Sequence, residues 1–214
     1  MPPAPAINFL DLLSEPRPGD ALAQAVDERP DMLSLIKLAP SIPAGPAAYH
    51  SGSLLDHIRR CMNETAGDAM AAWMALCHDS GKLTTPAAML PHHYNHECRG
   101  ETIARLWARE LSLPGAYADA GALAAREHMK AGIFARLRPG KKLALLEATC
   151  ETPLGASFWR LVNADTKSRV GDLILGLWPE IASAKKIGMT REKLIGLTKG
   201  LSSGIPLPKV VKTP

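Results

Sequence analysis

Leu76-Cys77-His78-Asp79-Ser80-Gly81-Lys82 is the stretch on which the reading of this chain turns. An apolar helical run, Ala71-Ala72-Trp73-Met74-Ala75-Leu76-Cys77, delivers an imidazole and a carboxylate side by side, then meets a glycine and a lysine. Neighbouring residues on a helix do not face the same way. His78 and Asp79 can therefore grip one small ion together only near a helix end. Ser80-Gly81 reads as that end, because glycine after an apolar periodic run is a helix stop signal. Taken alone, the doublet suits a capped, buried helix terminus as well as a metal site, since short motifs recur by chance.

Upstream, Tyr49-His50-Ser51-Gly52-Ser53 opens a helix that Ser53 can cap, with Leu54, Leu55, Ile58, Cys61 and Met62 as an apolar stripe and His57 beside it. Gly67-Asp68 separates that helix from the one ending in His78 and Asp79. Downstream, Lys82 to Asn95 reads as a loop, of a length that is commonly functional inside a compact domain. His96-Glu97 starts a helix with Ile103, Leu106, Trp107 and Leu111 on its apolar face, stopped by Pro114-Gly115. Ala116 to Met129 gives a further helix, ending in Arg126-Glu127-His128, and Lys141 to Cys150 another. Asp165 follows Val162, Leu161 and Phe158 by three, four and seven residues, so it points inward with them.

Toward the termini, Asp20 caps a short helix through Val26, and Pro30 sits in the first turn of a helix over Asp31 to Leu38. Pro40, Pro43, Gly45 and Pro46 form a rigid connector. An Ile174 to Leu177 helical patch ends at Pro179, and Met189 to Lys199 is a last amphipathic helix. No alternating strand pattern occurs, so the class is all-α. Residues 1–29 read as a partly disordered N-terminal extension, 30–200 as the functional domain, and 201–214 as a flexible basic tail carrying Lys209 and Lys212.

The 214 residues suffice for one generous domain, and 46% hydrophobic with 21% charged content is the profile of a soluble globular protein. The net charge of +4 suits a phosphate-bearing ligand without demonstrating nucleic-acid binding. Four scattered cysteines, Cys61, Cys77, Cys98 and Cys150, read as reduced thiols of a cytoplasmic protein. No secretory signal and no window long enough to span a bilayer is present, so no membrane partner is expected.

His57, His78, Asp79, His96, His128 and Asp165 are the inward or helix-end polar residues. Singly, each histidine fits a hydrogen-bonded core residue and each aspartate a helix-helix tether. Burying all six without partners would be very costly, and a divalent metal removes that cost. His57, His78, Asp79 and Asp165 offer two imidazoles and two carboxylates, whose charge matches a 2+ ion. Mixed nitrogen and oxygen ligation suits Mn, Fe, Co, Ni or Zn rather than Ca or Mg.

The order His57, then His78-Asp79, then Asp165 resembles the HD superfamily of metal-dependent phosphohydrolases. Cys77-His78-Asp79-Ser80-Gly81-Lys82-Leu83-Thr84-Thr85-Pro86, Leu90-Pro91-His92-His93, His96-Glu97-Cys98-Arg99-Gly100 and Asn163-Ala164-Asp165-Thr166-Lys167-Ser168-Arg169 are similar to the HD domain of bacterial CCA-adding tRNA nucleotidyltransferases. Tyr49-His50 before His57 belongs to the same pattern. The resemblance covers roughly residues 30–180 and implies an HD helical bundle. No polymerase motif precedes it, which leaves a stand-alone HD domain as the expectation and CCA addition unimplied. The implied activity is metal-dependent 2′,3′-cyclic phosphodiesterase and phosphatase chemistry. The metal ligands it implies are His57, His78, Asp79 and Asp165, with His96 and His128 where two-metal relatives place further histidines, to hold a second metal or phosphate.

On that expectation the ion acidifies a water and clamps a phosphoryl oxygen. Lys82, with Arg99 second, is the cation for the phosphoryl oxygens, and His92 or His93 the acid for a leaving ribose oxygen. The expected substrate is a nucleotide or an RNA terminus. A nucleoside monophosphate or other nucleotide phosphatase, and a non-catalytic RNA-binding HD module, are the alternatives.

Overall fold

The computed structural model describes residues 8–48 and 51–199, and apolar residues at helical spacing form ten α-helices among them. They are α1 (Phe9–Ser14), α2 (Pro18–Glu28), α3 (Leu54–Glu64), α4 (Ala69–Cys77), α5 (His96–Glu110), α6 (Gly115–Gly132), α7 (Pro139–Cys150), α8 (Gly155–Thr166), α9 (Val170–Lys186) and α10 (Arg191–Lys199). No strand occurs among the described residues, only an isolated antiparallel bridge between Pro43 and Ser53, so the fold is an all-α bundle. The expectations for residues 1–7, for Tyr49-His50 and for the tail with Lys209 and Lys212 lie outside the described residues.

α4 is the axis of the bundle. Every side chain from Ala71 to Cys77 is buried, which is why this helix has no polar face. It packs against α1, α3, α5, α6 and α8, while α2 covers α3, and α9 covers α8. α5 and α6 form an extensive pair. Gly121 makes their approach to α4 possible: a Cβ there would sit 2.9 Å from both Ala104 Cβ and Cys77 Sγ. Trp73, Trp107 and Trp159 are fully buried, and their indole N–H groups are satisfied. Trp73 donates to the Tyr117 carbonyl and Trp107 to the Ser34 carbonyl.

Four local expectations need correction. Residues 31–38 form turns and a short 3-10 segment, Ile36–Leu38, rather than an α-helix. The Ser34 amide donates to Glu110 and its carbonyl accepts from Trp107, so tertiary partners take the groups a helix would use. Leu33, Ile36 and Ala39 are buried at every third residue, which suits the tighter turn. Asp20 lies inside the first turn of α2 rather than capping it, and its carboxylate takes Arg17, Arg59 and Asn63 instead. α9 continues through Pro179, which is exposed, so water can serve the carbonyl that loses its partner. Finally, α4 stops at Cys77, ahead of Gly81, and Gly81 is needed for a different reason, given below.

Candidate metal centre

Five helices and one turn bring the histidines and aspartates together. α3 starts with a reciprocal cap, Ser53 Oγ accepting from the Asp56 amide at 3.1 Å and Asp56 Oδ2 from the Ser53 amide at 2.9 Å. This fixes the turn from which His57 projects. His78 ends α4, and the backbone swings at Asp79 (φ −105°, ψ 7°) into a 3-10 turn over Ser80–Thr84. That break in helical register lets two adjacent side chains converge.

Gly81 sits in this turn against the start of α5, where a Cβ would lie 1.9 Å from the His96 carbonyl oxygen. Only glycine permits that contact, and the contact carries His96 to Asp79. His128 lies two helical turns beyond Gly121 on the same face of α6, so the seating of Gly121 also aims His128 at the end of α4. α8 supplies Asp165 from its last turn.

Asp79 lies between two groups. Its Oδ2 is 3.3 Å from both His57 Nε2 and His78 Nε2, and its Oδ1 is 3.3 Å from His96 Nε2 and 3.4 Å from His128 Nε2. Asp165 Oδ1 is 3.2 Å from His57 Nε2 and 3.8 Å from His78 Nε2. The Nε2 atoms approach pairwise, His57 to His78 at 3.1 Å and His96 to His128 at 3.2 Å. All of these side chains are buried except that of Asp165, which is 19% exposed.

The tautomers follow from the backbone. His78 Nδ1 donates to the Ala75 carbonyl at 2.8 Å and His96 Nδ1 to the His93 carbonyl at 2.7 Å. His128 Nδ1 donates to the carbonyls of Ala125 and Ala124 at 2.9 and 3.1 Å. A carbonyl can only accept, so each Nδ1 bears a proton, and in the neutral form of each ring it is the Nε2 lone pair that turns inward. His96 and His128 thus present two lone pairs to each other and to Asp79 Oδ1, which is buried with no hydrogen-bond donor. Acceptors facing acceptors in a buried site call for a cation. Two sets of ligand atoms are close enough to hold one: His57, Cys61, His78 and Asp165 on one side, Asp79, His96 and His128 on the other.

Electrostatics point the same way. Burial works against charge on His57, but the carboxylates of Asp165 and Asp79 outweigh it and push the imidazole up to about 12. A proton there stands in for the positive charge the group lacks. Burial would also raise Asp79 and Asp165, yet both are held below the usual carboxylate range. The Lys82 ammonium is foremost among the groups that offset burial at Asp79, and the His57 contact does so at Asp165.

The residues expected to handle phosphate lie as follows. Lys82 is buried, its ammonium donating to Asp79 Oδ2 at 2.8 Å and to the Ala44 carbonyl at 2.7 Å. Arg99 ties the loop to α5 through Thr84 Oγ1, Thr85 Oγ1 and the Tyr94 carbonyl. His93 donates from Nε2 to the Pro43 carbonyl and accepts the Thr85 hydroxyl at Nδ1, both at 2.9 Å, and burial lowers its pKa. His92 is exposed and stacks on Tyr94.

Sequence reasoning missed three residues. Cys61 reads in the sequence as part of the apolar stripe, although a cysteine four residues after His57 on one helix face is itself a ligand spacing. Arg60 and Lys167 line a cavity of about 390 Å³ with Ser51, Asp56, His57, Asp165 and Thr166. Among the described residues the Lys167 ammonium has no hydrogen-bond or ion-pair partner. Arg60, three residues after His57 on α3, and Lys167, two after Asp165, had sequence proximity to a ligand as their only signal.

No described helix is long and apolar enough to cross a membrane, and all four cysteines are free thiols. No family model matches the chain, and no solved structure matches it significantly. Curated relatives are multifunctional CCA proteins. That of Laribacter hongkongensis is 37% identical over 136 residues, 61% of this chain and 33% of the relative. That of Aromatoleum aromaticum is 33% identical over 129 residues, 60% and 31%, and that of an Azoarcus species 37% over 106 residues, 48% and 26%. The chain spans about a third or less of these proteins, and over that span it is similar to part of a multifunctional CCA protein.

Proposed function

We propose that this chain is a metal-dependent phosphohydrolase of the HD type that acts in the cytoplasm on a nucleotide or RNA-terminal phosphate ester, with 2′,3′-cyclic phosphate the favoured substrate. The observation that carries the reading is Asp79 Oδ1: a buried carboxylate oxygen with no donor, facing two imidazole lone pairs. A structural carboxylate would have found a donor. The likeness to multifunctional CCA proteins supports a substrate bearing a nucleotide phosphate.

His57, His78, Asp79 and Asp165 would hold one divalent ion, of Mn, Fe, Co, Ni or Zn, with Asp79 shared toward His96 and His128 for a second. Such an ion, when bound, supplies an acidified water as nucleophile and a Lewis-acid contact to a phosphoryl oxygen. Lys82 holds Asp79 in orientation and offsets its charge. Beside partly exposed Asp165, the cavity rimmed by Arg60 and Lys167 admits the phosphate. Among the described residues Lys167 is the cation of that rim without a partner, and it meets the charge that develops on the equatorial oxygens. Arg99 and His93 shape the loop, and His92, exposed, is the group left to protonate a leaving ribose oxygen.

The test is elemental analysis of the purified chain, then a panel of 2′,3′-cyclic, 2′-, 3′- and 5′-nucleotides with each candidate metal. Chelator-sensitive turnover of the cyclic ester is expected. Turnover of 5′-nucleotides alone would leave the reaction class and replace the substrate. Metal-free protein that turns over none of them and binds RNA would be a binding module.

A further inference from the structure

The structure assigns Cys61 as a sulfur ligand of the cation held by His57, His78 and Asp165. This rests on the metal-site reading above and adds a donor to it. Cys61 lies one helical turn beyond His57 on α3, the i, i+4 spacing that puts two side chains over one point. Its Sγ is 3.8 Å from His57 Nε2, and the donor atoms of His57, Cys61, His78 and Asp165 all lie within 4.8 Å of one another. Donors at neighbouring positions around one ion with bonds of about 2.0–2.3 Å lie roughly 3–4 Å apart, so the wider pairs of the group must close by about 1 Å on it.

Charge and donor type agree. Asp79 Oδ2 is engaged by the Lys82 ammonium, and Asp79 Oδ1 faces His96 and His128. Beside the shared Asp79 Oδ2, the His57 side offers a cation two nitrogens and one oxygen, of Asp165, and Cys61 Sγ adds a sulfur donor to them. A thiolate and one carboxylate supply the two negative charges that a 2+ ion needs, and the thiol proton leaves to solvent as the ion binds. Sulfur is a soft donor, so this side should favour Zn, Co or Fe over Mn. The Asp79–His96–His128 side, with nitrogen and oxygen only, should discriminate less.

Metal-stripped full-length protein reloaded with Co(II) tests this directly. The wild type should retain cobalt after dialysis and show a near-ultraviolet thiolate-to-cobalt charge-transfer band beside the visible ligand-field bands. Cys61→Ser should keep the ligand-field bands and lose the charge-transfer band. Cys98→Ser, at an exposed thiol, should keep both. Zn(II) affinity should fall about 10- to 100-fold in Cys61→Ser, the range that loss of a supporting group already reaches, while Mn(II) affinity stays nearly unchanged. X-ray absorption of the zinc-loaded wild type should show sulfur at about 2.3 Å, a measurement that needs no variant to fold. Cobalt retained without the charge-transfer band would refute Cys61 and leave the metal site standing. A band that survives Cys61→Ser would refute it too. Failure to retain cobalt or zinc at all would overturn both readings.

Discussion

On one side of the Asp79 carboxylate the imidazoles are held by backbone, and on the other one of them is held by charge. His96 and His128 are both tied through Nδ1 to carbonyls, so their Nε2 lone pairs face Oδ1 with nothing to adjust. His78 is tied in the same way, but its partner His57 has Arg60 Nη2 3.3 Å from Nδ1 and two carboxylates beside Nε2. His57 therefore carries a proton where a cation would sit. The difference teaches that two ligand groups sharing one carboxylate can differ in their response to pH: one would take an ion as it stands, and the other would first give up a proton.

Asp79→Ala should have the largest effect, because it removes a shared ligand and a negative charge from both sides at once. Metal content and turnover should both be lost, with helical content by circular dichroism retained. Full metal content in this variant would break the idea of a shared carboxylate. His128→Ala should act on one side only, lowering the metal stoichiometry by one equivalent while the His57 side still fills. Loss of both equivalents would mean that the sides fill as a unit.

The pH dependence separates the sides without mutation. In metal-stripped protein the folded His57 sits near 12 against an unfolded value of 6.5. Its contribution to stability is thus complete below about pH 6.5 and fades as pH rises. Asp79 and Asp165 are depressed, so theirs is present above about pH 4 and fades as pH falls. Calorimetry in chelator should find a melting-temperature maximum between roughly pH 4 and 6.5. Metal affinity on the His57 side should climb with pH through the neutral range, and the other side should change less. A stripped protein most stable above neutrality would contradict the protonated His57. The smallest effect is expected from Ser53→Ala. It removes the cap under His57 and should cost about 1 kcal/mol by chemical denaturation, with both metals retained.

The helices that build the site were legible wherever one apolar face met one cap, as in α3 with Ser53 and Asp56. Residues 31–38 were not, because Trp107 and Glu110, over seventy residues away, claim the Ser34 backbone. Pro179 misled because exposure, which decides whether a proline ends a helix, is not written locally. Within the site, the inward face of Asp165 and the place of His57 beside its stripe could be read from helical phase, and the pairing of His78 with Asp79 from a helix end. Which cation lies behind Asp79 and which in front of it could not. Lys82 and Lys167 are both lysines just past a ligand, and only the fold buries one of them, with its ammonium on the Ala44 carbonyl and on Asp79.

The burial of α4 on all sides has a kinetic meaning. Amide protons along Ala71 to Cys77 cannot reach solvent by fraying or by a loop swinging aside, so their hydrogen exchange should require the global opening of the molecule. His78 and Asp79 ride on the end of that slowest-exchanging segment. An ion held there would be released by breaking its own bonds, since no partial unfolding short of the whole would loosen the pair that grips it.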